Sequence, residues 1–517
     1  MFEYSVSKFF NFIQKDTLLD WLELFGKSAG FHKKKCKVQE MLFSSGIEME
    51  KNVVEEIKKS RNITDLTHLK FQNFTHQNKT IELMKKKTEI IYQGFLCGGE
   101  EYNNKRPYGM PDLIIRKDIF HQMTNNKFNM EENDDVEEDY VIVDVKRSLK
   151  LNKNYTVSKS TSNYTWMEFQ LCAYEEFLSS VLKRGNNDVF VCSMNKNNEL
   201  DFGRVPFVKP AIQEIINYWE QLKKEGNKWV PYPKPTCKYM YPNMKNIYDN
   251  EWRHIKEDIA KKIGELTLLP YISVAIREQL WNQNIFSIHD EGVEDELEKI
   301  PRVPKFVVNI VMANKQEGSE INADKIKEDL MQIIDNRKLL FVDLETSKNN
   351  KVFLSCVYNF ENKEYKHFWC GKDDIINNES RVINETKEYI KTLQKENVED
   401  HEEKVENKDD TKDKKENYCV VYYGGQEAKL LEIKNGLDLF EVIKQNHYAK
   451  HGLMSYGLKD IYNESFRRKI ETKITNGYDA MCLYDNSDDE VVRKDLYDYV
   501  QKDVDILALL VNRFLNW

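Results

Sequence analysis

The chain has 517 residues with 77 Lys and Arg against 86 Asp and Glu, a net charge of −9. At 40% hydrophobic and 12% aromatic with only 20 Gly and 11 Pro, it falls outside the disordered, collagenous and repeat-dominated classes, at a length that suits roughly two to four domains. No apolar run reaches the roughly 18–20 residues that span a bilayer, and Lys8 interrupts the apolar amino terminus, so a soluble, unexported chain with no membrane partner is expected.

Nine cysteines are scattered without a CxxC pair. That argues against a disulfide framework or a zinc ribbon and for free thiols in an intracellular, reducing compartment. The negative charge is local. Residues 131–139 hold seven acids and no base, and 395–417 hold ten acids against six lysines; outside these tracts the balance is +2. Both tracts lack apolar periodicity and read as solvated loop insertions, 121–139 and 395–417, within mildly basic folded parts that permit a polyanion partner.

In chain order, 46–59 has helical spacing through Ile47, Val53, Val54 and Ile57 and carries Glu48 and Glu50 on its first turns. Residues 89–97, 108–116 and 140–148 read as successive strands, 164–182 as a helix, and 187–194 and 200–207 as further strands. Residues 235–300 are helical. From 338 the pattern becomes a three-stranded meander (338–346, 352–360, 364–370), a helix over about 379–394, a strand at 418–425 and a closing helix at 494–515. An α/β chain of three modules is expected: 1–232, a helical connector at 233–337, and 338–517.

Two acidic constellations stand out. Asp144 and Lys146, two apart, share one face of an otherwise apolar strand, where burying charges is costly unless they are paired or bind metal. If the strand holding Asp112 is its neighbour, Asp112 and Asp144 converge into a pair able to hold Mg²⁺ or Mn²⁺ beside a lysine that orients a nucleophile or a phosphate. The bland alternative is a structural Asp–Lys pair. In the second constellation, Asp343 and Glu345 share a face of an apolar strand, Glu427 follows the 418–425 strand, and Tyr499 and Asp503, four apart, share a helix face. Converging, these acids would form a site for two metal ions, with Tyr499 beside the attacking water.

The first set, with a helical acid, G-x-P-D at 109–112, D-x-K at 144–146 and Q-x-x-x-Y at 170–174, resembles the RecB-like branch of the PD-(D/E)XK nucleases over residues 40–210. The resemblance implies Asp112, Asp144 and Glu50 (or Glu48) as metal-site acids, Lys146 as the catalytic lysine, and Gln170 with Tyr174 as the substrate-side motif. The second set, D-x-E at 343–345 and Y-x-x-x-D at 499–503, resembles the DEDDy ribonuclease-H-like exonucleases. Here Glu427 stands where the usual residue is Asp, with Asp438 the second choice and Asp505 a neighbour of Asp503. The two together resemble a family of predicted nucleases of bacteria and large DNA viruses. The resemblance implies a Mg²⁺- or Mn²⁺-dependent nuclease with nucleic acid as partner, DNA favoured over RNA, acting on single strands or free ends. The cysteine spacing lacks the iron–sulfur motif of many RecB-like enzymes, and no cluster is expected. Residues 266–290 resemble a helix-hairpin-helix whose turn, Tyr271-Ile272-Ser273, lacks the usual glycines.

Overall fold

The computed structural model describes residues 2–516 apart from 35–36, 70–73, 99–105, 129–138, 148, 162, 196, 348–349, 378–379, 403–417, 469, 471–472, 475 and 487–489. It is a mixed α/β protein of two compact units, Met1–Ile263 and Gly264–Trp517. The division falls inside the segment read as a connector. None of the described helices is long and apolar enough to cross a membrane, and the eight described cysteines are free thiols.

In the first unit a six-stranded sheet runs in the order Ile63–Asp65, Ile90–Tyr92, Leu113–Arg116, Tyr140–Val145, Val189–Met194, Leu200–Val205. The strand Tyr140–Val145 is antiparallel to Leu113–Arg116 and parallel to Val189–Met194, and helix Tyr164–Leu182 makes the crossover that a parallel pair requires. Its alternation decides which face carries chemistry. Val141 and Val143 join the core with Val53 and Ile57 of helix Lys37–Lys58, whereas Asp144 and Lys146 face helix Tyr164–Leu182.

Two expected strands are each broken in two. Ile90–Tyr92 and Leu113–Arg116 stay in the large sheet, but Leu96–Cys97 and Arg106–Gly109 pair in a second sheet with Phe2–Ser5. The break comes at Gln93, whose φ of 56° is left-handed and ends a ladder, and at Pro111, which has no N–H to give.

Residues 236–263 are clasped to the amino-terminal segment. Fully buried Lys256 donates to Asp16 at 3.0 Å and to the carbonyls of Asn243 and Asn246 at 3.0 and 2.8 Å. Asn243 and Asn246 in turn donate to Asp16 from a backbone N–H and a side-chain amide, at 2.9 and 2.8 Å.

The second unit holds a five-stranded sheet in the order Glu364–Trp369, Val352–Asn359, Lys338–Thr346, Tyr418–Tyr422, Leu437–Asp438. The first three are antiparallel neighbours, and the last two run parallel to Lys338–Thr346. Helix Glu490–Leu515 packs across Lys338–Thr346 and Val352–Asn359. Within 266–290 the α-helix is Val274–Trp281, started by Ser273, whose hydroxyl accepts from the Ile276 N–H. The segment before it is a short 3-10 turn, Leu266–Leu268, where a helix-hairpin-helix would have a first helix.

The acidic tracts are not wholly solvated loops. Helix Arg381–Glu402 continues through residues 395–402, while 403–417 and 131–138 lie outside the described residues. In the first tract, His121–Met123 close helix Lys117–Met123, and Phe128 is buried in the core. Asp139 is buried and accepts from Arg184 at 2.6 Å, with Lys117 at 3.6 Å. A charged residue at the edge of a tract is drawn inward when a half-buried guanidinium pairs with it.

Candidate functional site

In the second unit the strand Lys338–Thr346 carries Asp343 and Glu345 on the face covered by helix Glu490–Leu515. That helix brings Asp503 and, one turn earlier, Tyr499. One ligand oxygen from each of Asp343, Glu345 and Asp503 lies within 4.8 Å of the others, the one such group of acids, histidines or cysteines among the described residues. Glu427, in the first turn of helix Gly425–Leu431, adds its charge to both Asp343 and Glu345. Asp438 does something else. It caps helix Leu439–Gln445, accepting from the N–H groups of Phe440 and Gly424, each at 3.0 Å. Asp505 points to another neighbour, the Tyr365 hydroxyl.

The group is deeply set. Glu345, Glu427 and Asp503 are buried and Asp343 is partly exposed, yet Asp343 Oδ2, Glu427 Oε2 and Asp503 Oδ1 are buried atoms with no hydrogen-bond donor. Loss of solvation pushes the Asp343 carboxyl well above the ordinary range, and the charges of Glu345, Asp503 and Glu427 push it further. Burial with the Asp503 charge takes Glu345 to about 8, and burial takes Glu427 to about 7. Asp503 is raised less because Lys459 opposes its burial. The Lys459 ammonium stands 3.0 Å from Asp503 Oδ1 and 4.1 Å from the centroid of the Tyr499 ring. Lys459 was not singled out from the sequence; a single lysine opening an ordinary amphipathic helix gives no local signal.

The first unit also gathers its predicted residues, with a different outcome. Asp112 Oδ2 accepts the Val145 N–H at 2.8 Å, which fixes it beside the strand of Asp144. Lys146 is ion-paired with Asp144 and reaches Gln170 Oε1 at 3.4 Å, and Gln170 donates to the Tyr174 hydroxyl at 2.9 Å. Glu50, not exposed Glu48, joins the group. Its Oε1 accepts from Tyr92 at 2.8 Å and from Gln93 Nε2 at 2.7 Å, and the same Gln93 nitrogen lies 3.1 Å from Asp112 Oδ1. Gln93 is thus a bridge between two acids. It was hidden in a stretch that reads as continuous strand, with the Gln-Gly pair at 93–94 the available sign of a break.

Burial and the charges of Asp144 and Glu50 raise the Asp112 carboxyl well above its ordinary range. Burial works against the Lys146 ammonium, but Asp144 and Asp112 outweigh it and its pKa is raised. Gly109 has a specific role here: a Cβ at this position would overlap the Tyr174 ring. The glycine of G-x-P-D and the tyrosine of Q-x-x-x-Y are one packing unit.

Compared with known proteins, the chain matches no family model, no curated protein and no solved structure.

Proposed function

We propose that this chain is a divalent-metal-dependent nuclease whose leading centre is the carboxylate set Asp343, Glu345, Glu427 and Asp503. The observation that carries the reading is the convergence of ligand oxygens of Asp343, Glu345 and Asp503 within 4.8 Å in a place where buried carboxylate oxygens of Asp343, Glu427 and Asp503 have no hydrogen-bond donor. Such a gathering of like charges is disfavoured by burial unless a cation answers it. An all-oxygen donor set suits Mg²⁺ or Mn²⁺ better than softer metals. Bound there, the ion would neutralise a phosphodiester oxygen and lower the pKa of a water. Asp343, Glu345 and Asp503 would hold the ion, Glu427 would flank it, and Tyr499, one turn before Asp503, would stand beside the site.

A ribonuclease-H-like architecture for this unit is supported by its sheet, in which three antiparallel strands are followed by two parallel ones. For the first unit, the PD-(D/E)XK reading is supported by the meeting of Glu50, Asp112, Asp144, Lys146, Gln170 and Tyr174 at the end of the sheet's two central strands. The choice of nucleic acid as substrate, DNA ends before RNA, rests on the motif resemblances.

The test is cleavage of end-labelled single-stranded DNA, duplex DNA and RNA with Mg²⁺, Mn²⁺ or EDTA, using wild type, Asp343→Asn, Lys146→Ala and the double variant. Metal-dependent cleavage lost in Asp343→Asn supports the leading centre. Cleavage that persists there and disappears only in the double variant assigns activity to both units. An inert wild type on every substrate overturns the nuclease reading and leaves a nucleic-acid-binding scaffold.

A further inference from the structure

We infer that a lysine-rich hairpin on the acid-bearing face of the first unit's large sheet is a docking surface for the phosphate backbone of single-stranded DNA. This rests on the nucleic-acid reading of that unit and names where its substrate strand runs.

Residues 145–167, which leave the strand of Asp144 and enter helix Tyr164–Leu182, hold five bases and no acid in a chain of net charge −9. The segment is not slack. Leu151 and Val157 are bridged as an antiparallel pair. Between them the Asn152 N–H donates to the Thr156 carbonyl at 2.9 Å, and Asn152 Oδ1 accepts from the N–H groups of Asn154 and Thr156 at 2.9 and 3.0 Å. The hairpin extends the large sheet past its last strand, Leu200–Val205: Val157 donates to the Arg204 carbonyl at 2.9 Å, and Arg204 donates to that of Tyr155 at 2.8 Å. Leu151 and Val157 lie so close to Gly203 that a Cβ there would stand 2.6 and 2.8 Å from their side chains.

Register sets this hairpin on the face of the acids. Asp144 aligns with Val191, and Val191 with Gly203, and residues aligned across neighbouring strands project from one face. Two strand spacings, about 9.5 Å, separate Asp144 from Gly203, where Leu151 and Val157 pack.

With its apolar pair turned down, the hairpin turns its charge outward. Lys150, Lys153 and Lys159 are exposed, as is Arg147 beside Lys146, and exposed Lys127 joins them with its ammonium 5.1 Å from the centroid of the Tyr155 ring. Among the described residues none of these five is ion-paired with an acid. Lysines on surface helices, by contrast, have an acid one turn away, as Lys58 has Glu55 at 3.1 Å and Lys262 has Asp258 at 2.7 Å. Cations that are fixed in place and lack acids of their own suit a regularly charged polyanion, which releases its counterions on contact. A hairpin held by its own backbone bonds also loses little freedom on binding.

The experiment is binding of labelled single-stranded DNA, read by fluorescence anisotropy in EDTA to hold off cleavage, between about 50 and 200 mM salt. The full-length proteins are wild type, a triple variant Lys150→Gln, Lys153→Gln, Lys159→Gln, and a control Lys224→Gln, Lys228→Gln, Lys234→Gln that removes the same charge from exposed positions elsewhere in the unit. Each phosphate contact on a single strand adds about 0.7 to the slope of log affinity against log salt. A hairpin variant that binds roughly tenfold or more weakly at about 0.1 M salt, with a slope shallower by about 2, beside a control close to wild type, supports the inference. Equal losses in the two variants, or none, overturn it and leave the nucleic-acid reading intact. If wild type binds no DNA, that reading falls and the inference with it. Unchanged binding with a lower melting temperature in the hairpin variant assigns the lysines to acids of the chain itself and overturns it as well. Should the triple variant fail to fold, Lys153→Glu repeats the comparison with one exposed side chain, and weaker binding is again the expected result.

Discussion

The two units gather nearly the same residue types, three or four acids with one lysine, and treat them in opposite ways. In the first unit Asp112 takes a backbone N–H and the Gln93 amide, Glu50 takes Gln93 and Tyr92, and Asp144 takes Lys146. In the second, one lysine answers a set of four acids, and oxygens of Asp343, Glu427 and Asp503 are buried without a hydrogen-bond donor. A constellation satisfied by its own protein is stable without help. One that is not satisfied stores repulsion that a bound cation relieves, so the poorer set of hydrogen bonds marks the stronger candidate for metal.

The largest effect that can break this contrast is catalytic. Asp343→Asn removes a ligand and is expected to lower metal-dependent cleavage on the order of 10³-fold, since an ion supplies several kcal/mol to the transition state. Rates with end-labelled DNA check this, and a loss below tenfold would shift the leading centre to Lys146. Next in size, Mn²⁺ at a hundredfold excess over its dissociation constant should stabilise the second unit by about 2.7 kcal/mol. Melting with and without the ion measures it, and the gain should vanish in Asp343→Asn.

The contrast also has a pH signature. Glu345 stands at about 8 and Glu427 at about 7 in the folded chain, above the ordinary 4.5 of each. The folded state therefore binds more protons than the unfolded one across this window. Their contribution to stability is full below about pH 4.5 and is lost as pH rises to about 8. Melting in EDTA from pH 4.5 to 9 should show the decline, and Glu345→Gln should flatten it relative to wild type. A parallel decline in both proteins would remove Glu345 as its source.

Much of this was readable because alternation and helical period are local. The strand Lys338–Thr346 and the helix Tyr164–Leu182 lie where apolar spacing puts them, and the D-x-E, D-x-K and Y-x-x-x-D spacings bring their residues to shared faces. What was not readable depends on distance along the chain. Lys256 and Asp16 meet across 240 positions with no pattern at either, so residues 236–263 read as connector rather than as part of the first unit. Gln93 was hidden because the residues around it stay apolar while the backbone leaves the sheet. Glu427 stands first and Asp438 second as the middle acid in the sequence, and it is capping geometry that sets Asp438 apart, because an acid at a helix start serves as cap or as ligand with the same sequence signature.

A smaller effect sharpens the first-unit side. Gly109→Ala puts a methyl into the Tyr174 ring, and overpacking of this kind costs about 1–3 kcal/mol. Lower thermal stability is expected together with weaker substrate binding through Gln170. A companion Gly109→Ala, Tyr174→Leu protein should recover the stability but not the binding, as measured by DNA titration. Recovery of both would reduce Q-x-x-x-Y to packing.

The smallest effect tests the bridge itself. Gln93→Leu deletes the amide shared by Glu50 and Asp112, and in EDTA it should cost about 1–3 kcal/mol, because two acids lose a donor and face each other directly. If these carboxylates are able to take a metal, the same change should free ligand oxygens and make Mn²⁺ more stabilising for Gln93→Leu than for wild type, bringing the first unit closer to the behaviour of the second. If instead the acids are held only as structure, the loss in EDTA will persist unchanged in Mn²⁺. Melting curves for both proteins in both conditions decide between the outcomes, and the sign of the difference states whether the first constellation is a metal site restrained by its hydrogen bonds or a closed ionic network.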